Sequence, residues 1–195
     1  MENIPWFSGR EVKDILISVL VLSFVFAYPE VFLSPAFFLY SLFAVGLAFM
    51  GHELSHRYVA RRMGYWAEYQ MWGQGILLAL LFAIITNGGF VFAAPGAVVF
   101  SSYWAFGRPE RSDVGRIGIA GITFNIILMY AFLGLSFLIS NPILSLAAFI
   151  NGWLAVFNLI PFGPLDGAKV LSWNWRAWLA AISLAAAGLA ASFLM

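Results

Sequence analysis

Apolar residues in this chain come in long blocks, and the polar residues collect at the block edges. A helix needs about 20 apolar residues to cross a hydrocarbon core about 30 Å thick. The first block runs from Gly9 to Tyr28, with a capping-box pattern at Ser8 and Glu11 and a stop at Pro29. The second opens at Ser34–Pro35, a cap residue followed by a helix-starting proline, and reaches Arg62 before Gly64. Residues 75–106 are less regular. Twelve or so apolar residues are followed by a stretch with Gly88, Gly89, Pro95, Gly96 and many Val and Phe. They predict a membrane-embedded hairpin: two short helices, or one helix and a re-entrant segment. Further blocks at 114–139, 142–160 and 175 onward are set off by Ser112–Asp113, Asn141–Pro142 and the break at Pro161, Gly163 and Pro164. The pattern predicts an all-α polytopic bundle of about six transmembrane helices. No linker, repeat or low-complexity tract interrupts it, so residues 1–195 read as a single integral-membrane domain.

Composition sharpens this picture. Apolar residues make up 63% of the 195, charged residues 10%, and mean hydropathy is +0.91. Soluble domains run near 45–50% and about 25%. A soluble protein of this length has too little interior to hide that much apolar surface. Nucleic acid is excluded as a partner, and the lipid bilayer is expected as the solvent. The absence of Cys removes disulfides, Cys-based metal sites and thiol nucleophiles. Glu2, Glu11 and Asp14 stand where a cleaved signal peptide would be basic.

The ten basic residues set an orientation. If the N-terminus is cytoplasmic and residues 75–106 enter and return on one side, all ten fall on the cytoplasmic side. The outer turns near 29–34 and 140–142 then carry none. An integral protein of the cell membrane is expected, with its active site toward the cytoplasm. Arg57, Arg61 and Arg62 read as topology determinants in reach of anionic lipid.

Polar residues within apolar blocks are costly and point to function. Three places stand out: His52–His56, Asn125, and Asn158 through Asp166. The first is His-Glu-x-x-His. On a helix, positions i and i+4 share a face, so two imidazoles can bind one Zn²⁺ while Glu53 serves as general base. The chain has only two His, and both lie in this motif. A catalytic zinc needs a third protein ligand. Among the carboxylates, Asp166 is placed best. It follows a Pro-rich break at the end of an inward-running span, at the depth where the His pair ends its own.

These residues carry a resemblance. Gly-His-Glu-Leu-Ser-His at 51–56, Ala-Gly-Ile-Thr-Phe-Asn at 120–125 and Asn-Leu-Ile-Pro-Phe-Gly-Pro-Leu-Asp-Gly at 158–167 are similar, in order and spacing, to motifs of the site-2 protease family of intramembrane zinc metalloproteases. Ile122 replaces the family's usual Pro. The resemblance implies a near-minimal core without PDZ or CBS domains. It implies one zinc held by His52, His56 and Asp166, with Glu53 as base. It also implies that Asn125 and Asn158 hold the substrate or polarise its scissile carbonyl; alternatively, a buried Asn simply bonds across helices. Substrates would be transmembrane proteins cut in or near their spans. The second reading is an inactive scaffold of the same fold. Small residues in Ala-Ala-Ile-Ser-Leu-Ala-Ala-Ala-Gly-Leu-Ala-Ala suit a homo-oligomer, a regulatory partner or the chain's own bundle.

Helical substrate must unwind to be cut, and its freed peptide groups then need partners. Residues 87–103 could supply a strand edge for that purpose, or only pack the bundle.

Overall fold

A computed structural model describes residues 7–102 and 109–194. Glu2, Arg108 and the end of the 75–106 segment lie outside them.

Among the described residues, seven α-helices and a two-stranded sheet follow in the order α1 (Gly9–Ala27), α2 (Ala36–Arg62), β1 (Tyr65–Met71), α3 (Gly73–Ile85), β2 (Gly96–Ser102), α4 (Arg111–Leu138), α5 (Pro142–Asn158), α6 (Asp166–Trp173) and α7 (Trp175–Ser192). By length and composition, three of the described helices can cross a membrane: α2, α4 and α7. The first turns of α1 carry Arg10, Glu11, Lys13 and Asp14, while α3 and α5 are apolar but shorter.

Several boundaries follow the local chemistry. Ser8 Oγ accepts the Glu11 N–H at 3.0 Å, which is half of the expected capping box. Asn141 Oδ1 caps α5 through the Ile143 N–H at 2.9 Å, with Pro142 just inside the helix. Gly64, at φ +85°, takes the left-handed conformation that turns α2 into β1. The α4 start differs from expectation. The helix begins at Arg111, and Asp113 instead accepts the Tyr65 hydroxyl from β1 at 2.6 Å.

The expectation of an all-α protein is corrected by the sheet. Within the described part of 75–106, one helix, α3, is followed by extended backbone that leads into β2. Its partner β1 lies between the second apolar block and residue 75, where the sequence pattern predicted no element. The strands run antiparallel with Tyr69 opposite Val98 and Met71 opposite Gly96. The Tyr69 N–H goes to Glu11 Oε1 at 3.0 Å and the Met71 N–H to Asp14 Oδ2 at 3.1 Å. Both peptide groups therefore face α1, away from β2. In an antiparallel pair, the residues opposite them also turn their peptide groups outward. So β2 turns the peptide groups of Gly96, Val98 and Phe100 to its other side, where the Val98 amide meets the Glu53 carboxylate.

Arg57 departs from its expected role. It is buried and makes a two-point ion pair with Glu11, Nε to Oε1 at 2.9 Å and Nη2 to Oε2 at 3.1 Å. Its guanidinium lies 4.2 Å from the Phe7 ring centroid. Glu11 thus joins α1, α2 and β1 at one point.

Candidate metal centre

Helix α2 places His52 and His56 one turn apart, facing α4. Gly121 on α4 makes this approach possible. A Cβ there would stand 2.5 Å from His56 Nε2 and 2.9 Å from His52 Cδ2. The third group arrives from the break after α5. Asp166 opens α6, and Gly167 lets that turn sit against the end of α5, where a Cβ would meet the Leu159 carbonyl oxygen at 2.1 Å.

Three atoms converge. His52 Nε2 and His56 Nε2 are 2.9 Å apart, and Asp166 Oδ2 lies 3.2 and 2.8 Å from them. All three side chains are buried. The other nitrogen of each ring faces an acceptor: His52 Nδ1 meets Asn125 Oδ1 at 2.6 Å, and His56 Nδ1 meets the Ile117 carbonyl at 2.7 Å. Each Nδ1 therefore carries the proton, and each neutral ring turns a bare Nε2 inward. Two bare nitrogens and a carboxylate oxygen meet with no donor between them. Such a set calls for a cation. Two imidazoles and one carboxylate suit zinc, whose tetrahedral bonds of about 2.0–2.1 Å imply ligand separations of about 3.3 Å. The residues fit the metal.

The second oxygen of Asp166 is also assigned. Lys169 Nζ donates to Oδ1 at 2.8 Å, leaving Oδ2 for the triangle.

Beside the triangle is a cavity of about 390 Å³, lined by His56, Asp166, Lys169, Glu53, Asn158 and β2. Glu53 is buried, its carboxylate interacts with the Val98 amide, and its Oε2 has no hydrogen-bond partner among the described residues. A buried acceptor left open beside a cavity is unusual and suits a group that receives a proton from whatever enters.

The two Asn residues separate. Asn158 lines the cavity, while its Nδ2 donates to the Leu154 carbonyl at 3.0 Å. Asn125 lies behind His52. Its Oδ1 takes the Nδ1 proton, and its Nδ2 donates to the Ala48 carbonyl and to Asn151 Oδ1, each at 3.0 Å. Sequence reasoning missed Asn151 and Lys169. Asn151 is an uncharged polar residue in the middle of an apolar block, the same signal that singled out Asn125. Lys169 stands three residues after Asp166, the spacing of neighbours on one helix face.

No family model matches the chain, and no solved structure does. A protein of Methanocaldococcus jannaschii named "Putative zinc metalloprotease" is 40% identical to it over 177 residues, which span 88% of each chain. At that identity and coverage the chain belongs to the family of that archaeal protein, the zinc metalloproteases.

Proposed function

We propose that this is an intramembrane zinc metalloprotease of the site-2 type, which hydrolyses peptide bonds in or near the spans of membrane proteins. The observation that carries this reading is the buried triangle of two bare Nε2 atoms and one carboxylate oxygen, set beside an unpartnered Glu53 oxygen on helices apolar enough to span a bilayer. His52, His56 and Asp166 hold one zinc per chain. Zinc in such a site lowers the pKa of water to about 7 and polarises a carbonyl. Glu53 takes the water's proton at its open carboxylate oxygen and returns it to the leaving amine. Asn158, at the cavity wall, is placed to meet the substrate backbone.

The unwound substrate adds to β2. The outward peptide groups of Gly96 and Phe100, with the Val98 carbonyl between them, border the cavity and match an extended peptide. Replacing residues 88–98 with a helix-forming Leu/Ala run should abolish cleavage. Unchanged cleavage would leave that segment with packing alone. Six spans, a cytoplasmic N-terminus and a site open to the cytoplasm complete the reading, in line with the placement of the basic residues.

The deciding experiment measures zinc in the purified, detergent-solubilised chain alongside cleavage of reconstituted single-span substrates. One zinc per chain is expected, lost in His56→Ala and Asp166→Ala but kept in Glu53→Gln, with cleavage lost in all three. Zinc indifferent to Asp166→Ala would overturn the site. Zinc bound as expected without cleavage of any substrate would favour the inactive scaffold.

A further inference from the structure

Behind the triangle runs a line of hydrogen bonds that the catalytic reading does not use. It begins at the Ala147 carbonyl on α5, which accepts from Asn151 Nδ2 at 2.8 Å. Asn151 Oδ1 accepts from Asn125 Nδ2 at 3.0 Å, and Asn125 Oδ1 accepts from His52 Nδ1 at 2.6 Å. Asn125 Nδ2 also donates to the Ala48 carbonyl at 3.0 Å. Both Asn side chains are fully buried.

The direction of this line is fixed by its ends. Backbone carbonyls only accept, so the amide atom facing Ala147 must be the nitrogen of Asn151, and the atom facing Ala48 must be the nitrogen of Asn125. Turning the Asn125 amide over would set its oxygen against two acceptors, the Ala48 carbonyl and Asn151 Oδ1. In a buried site each such clash leaves a polar group unsatisfied, at a cost of about 1–3 kcal/mol. Asn125 is thereby held with its oxygen toward His52, which must keep its proton on Nδ1. His56 needs no such device, because the backbone carbonyl of Ile117 faces its Nδ1 directly.

We propose that Asn151 is a positioning residue for the metal centre: through Asn125 it fixes which nitrogen of His52 is presented to the metal. The inference rests on the zinc reading above and adds to it a residue three helices away from the ligand in chain order, on α5. It explains why an apolar block should carry Asn at 151, in contact with neither cavity nor metal.

The two His residues make the test direct. With ¹⁵N-labelled histidine the zinc-loaded chain gives signals from two imidazoles only, and their pattern reports which nitrogen carries the proton. In the wild type both rings should be protonated at Nδ1, with the His52 proton exchanging slowly. Asn151→Leu, close in volume but without polar atoms, should weaken zinc binding about 10–100-fold, the range seen when outer partners of a ligand are removed. It should also speed exchange of the His52 proton while the His56 signal stays in place. Asn151→Ser keeps a group that can donate to the carbonyl four residues back and accept from Asn125, so it should recover most of the affinity. A wild-type His52 protonated at Nε2 would overturn the proposal without any variant. So would zinc affinity within twofold of wild type in Asn151→Leu, or equal losses in both variants with the His56 signal disturbed as well, which would mark a packing role. A wild type that binds no zinc would instead reject the metal centre itself.

Discussion

At the scale of single residues, the centre depends on what is small as much as on what ligates. Gly121 leaves room for both imidazoles, since a methyl group there would fall within 2.5 Å of His56 Nε2. Gly121→Ala should therefore weaken zinc binding at least tenfold, measured by competition with a chromogenic chelator. The protein should also lose about 1–3 kcal/mol of stability from overpacking. Lys169 acts on the other side of the triangle. With its ammonium gone, Asp166 Oδ1 is released from its partner, and Lys169→Met should cost zinc affinity roughly tenfold. Lys169→Arg, which keeps a donor and a charge, should lose less. Equal losses in the two variants would argue that the stem of Lys169, not its charge, matters. The His pair, Glu53 and Asp166 were legible in the sequence because their types are rare among these apolar blocks. Asn151 was not singled out, because one neutral polar residue in a span has too many ordinary uses.

At the scale of elements, the joint at Glu11 is the most exposed to damage. Its carboxylate takes a hydrogen bond from Arg57 Nη2, an ionic contact from Arg57 Nε and a hydrogen bond from the Tyr69 N–H, all of them buried. Removing one partner of a buried ion pair strands the other charge, which typically costs about 3–5 kcal/mol. Arg57→Met should destabilise the protein by that order in chemical unfolding in detergent. The double variant Glu11→Leu with Arg57→Met should recover part of the loss. Sequence reasoning placed the α1 start correctly but read Glu11 as a capping side chain and Arg57 as a topology determinant in reach of anionic lipid. Their meeting depends on how α1, α2 and β1 pack, and no local pattern carries that. The strands were half legible. The Val and Phe of 96–102 signalled extended structure, while β1, with Glu68 and Gln70 among aromatics, gave no predicted element because its apolar alternation is short. The short helix α6 was hidden by Pro-Leu-Asp-Gly, which has the composition of a turn.

At the scale of the whole molecule, the claim to test is orientation. The chain has no Cys, so any introduced Cys is a single reporter. Leu33→Cys and Ser140→Cys should react with an impermeant maleimide added outside intact cells. Arg62→Cys and Trp175→Cys should react only after the membrane is opened. The opposite pattern would invert the topology and place the metal centre on the outer side. Which helices exist was largely readable from apolar block length, whereas how many of them cross was not, because α1, α3 and α5 are too short or too charged for length to decide. The sheet adds a last constraint. Two strands would ordinarily offer two free edges, each able to recruit another chain. Here Glu11 and Asp14 occupy the Tyr69 and Met71 amides, so the ribbon has a valence of one. Under the proposed reading a single visiting strand would add at β2, and the pairing could not pass onward. An edge blocked in this way keeps the sheet from growing strand by strand into a seed for aggregation.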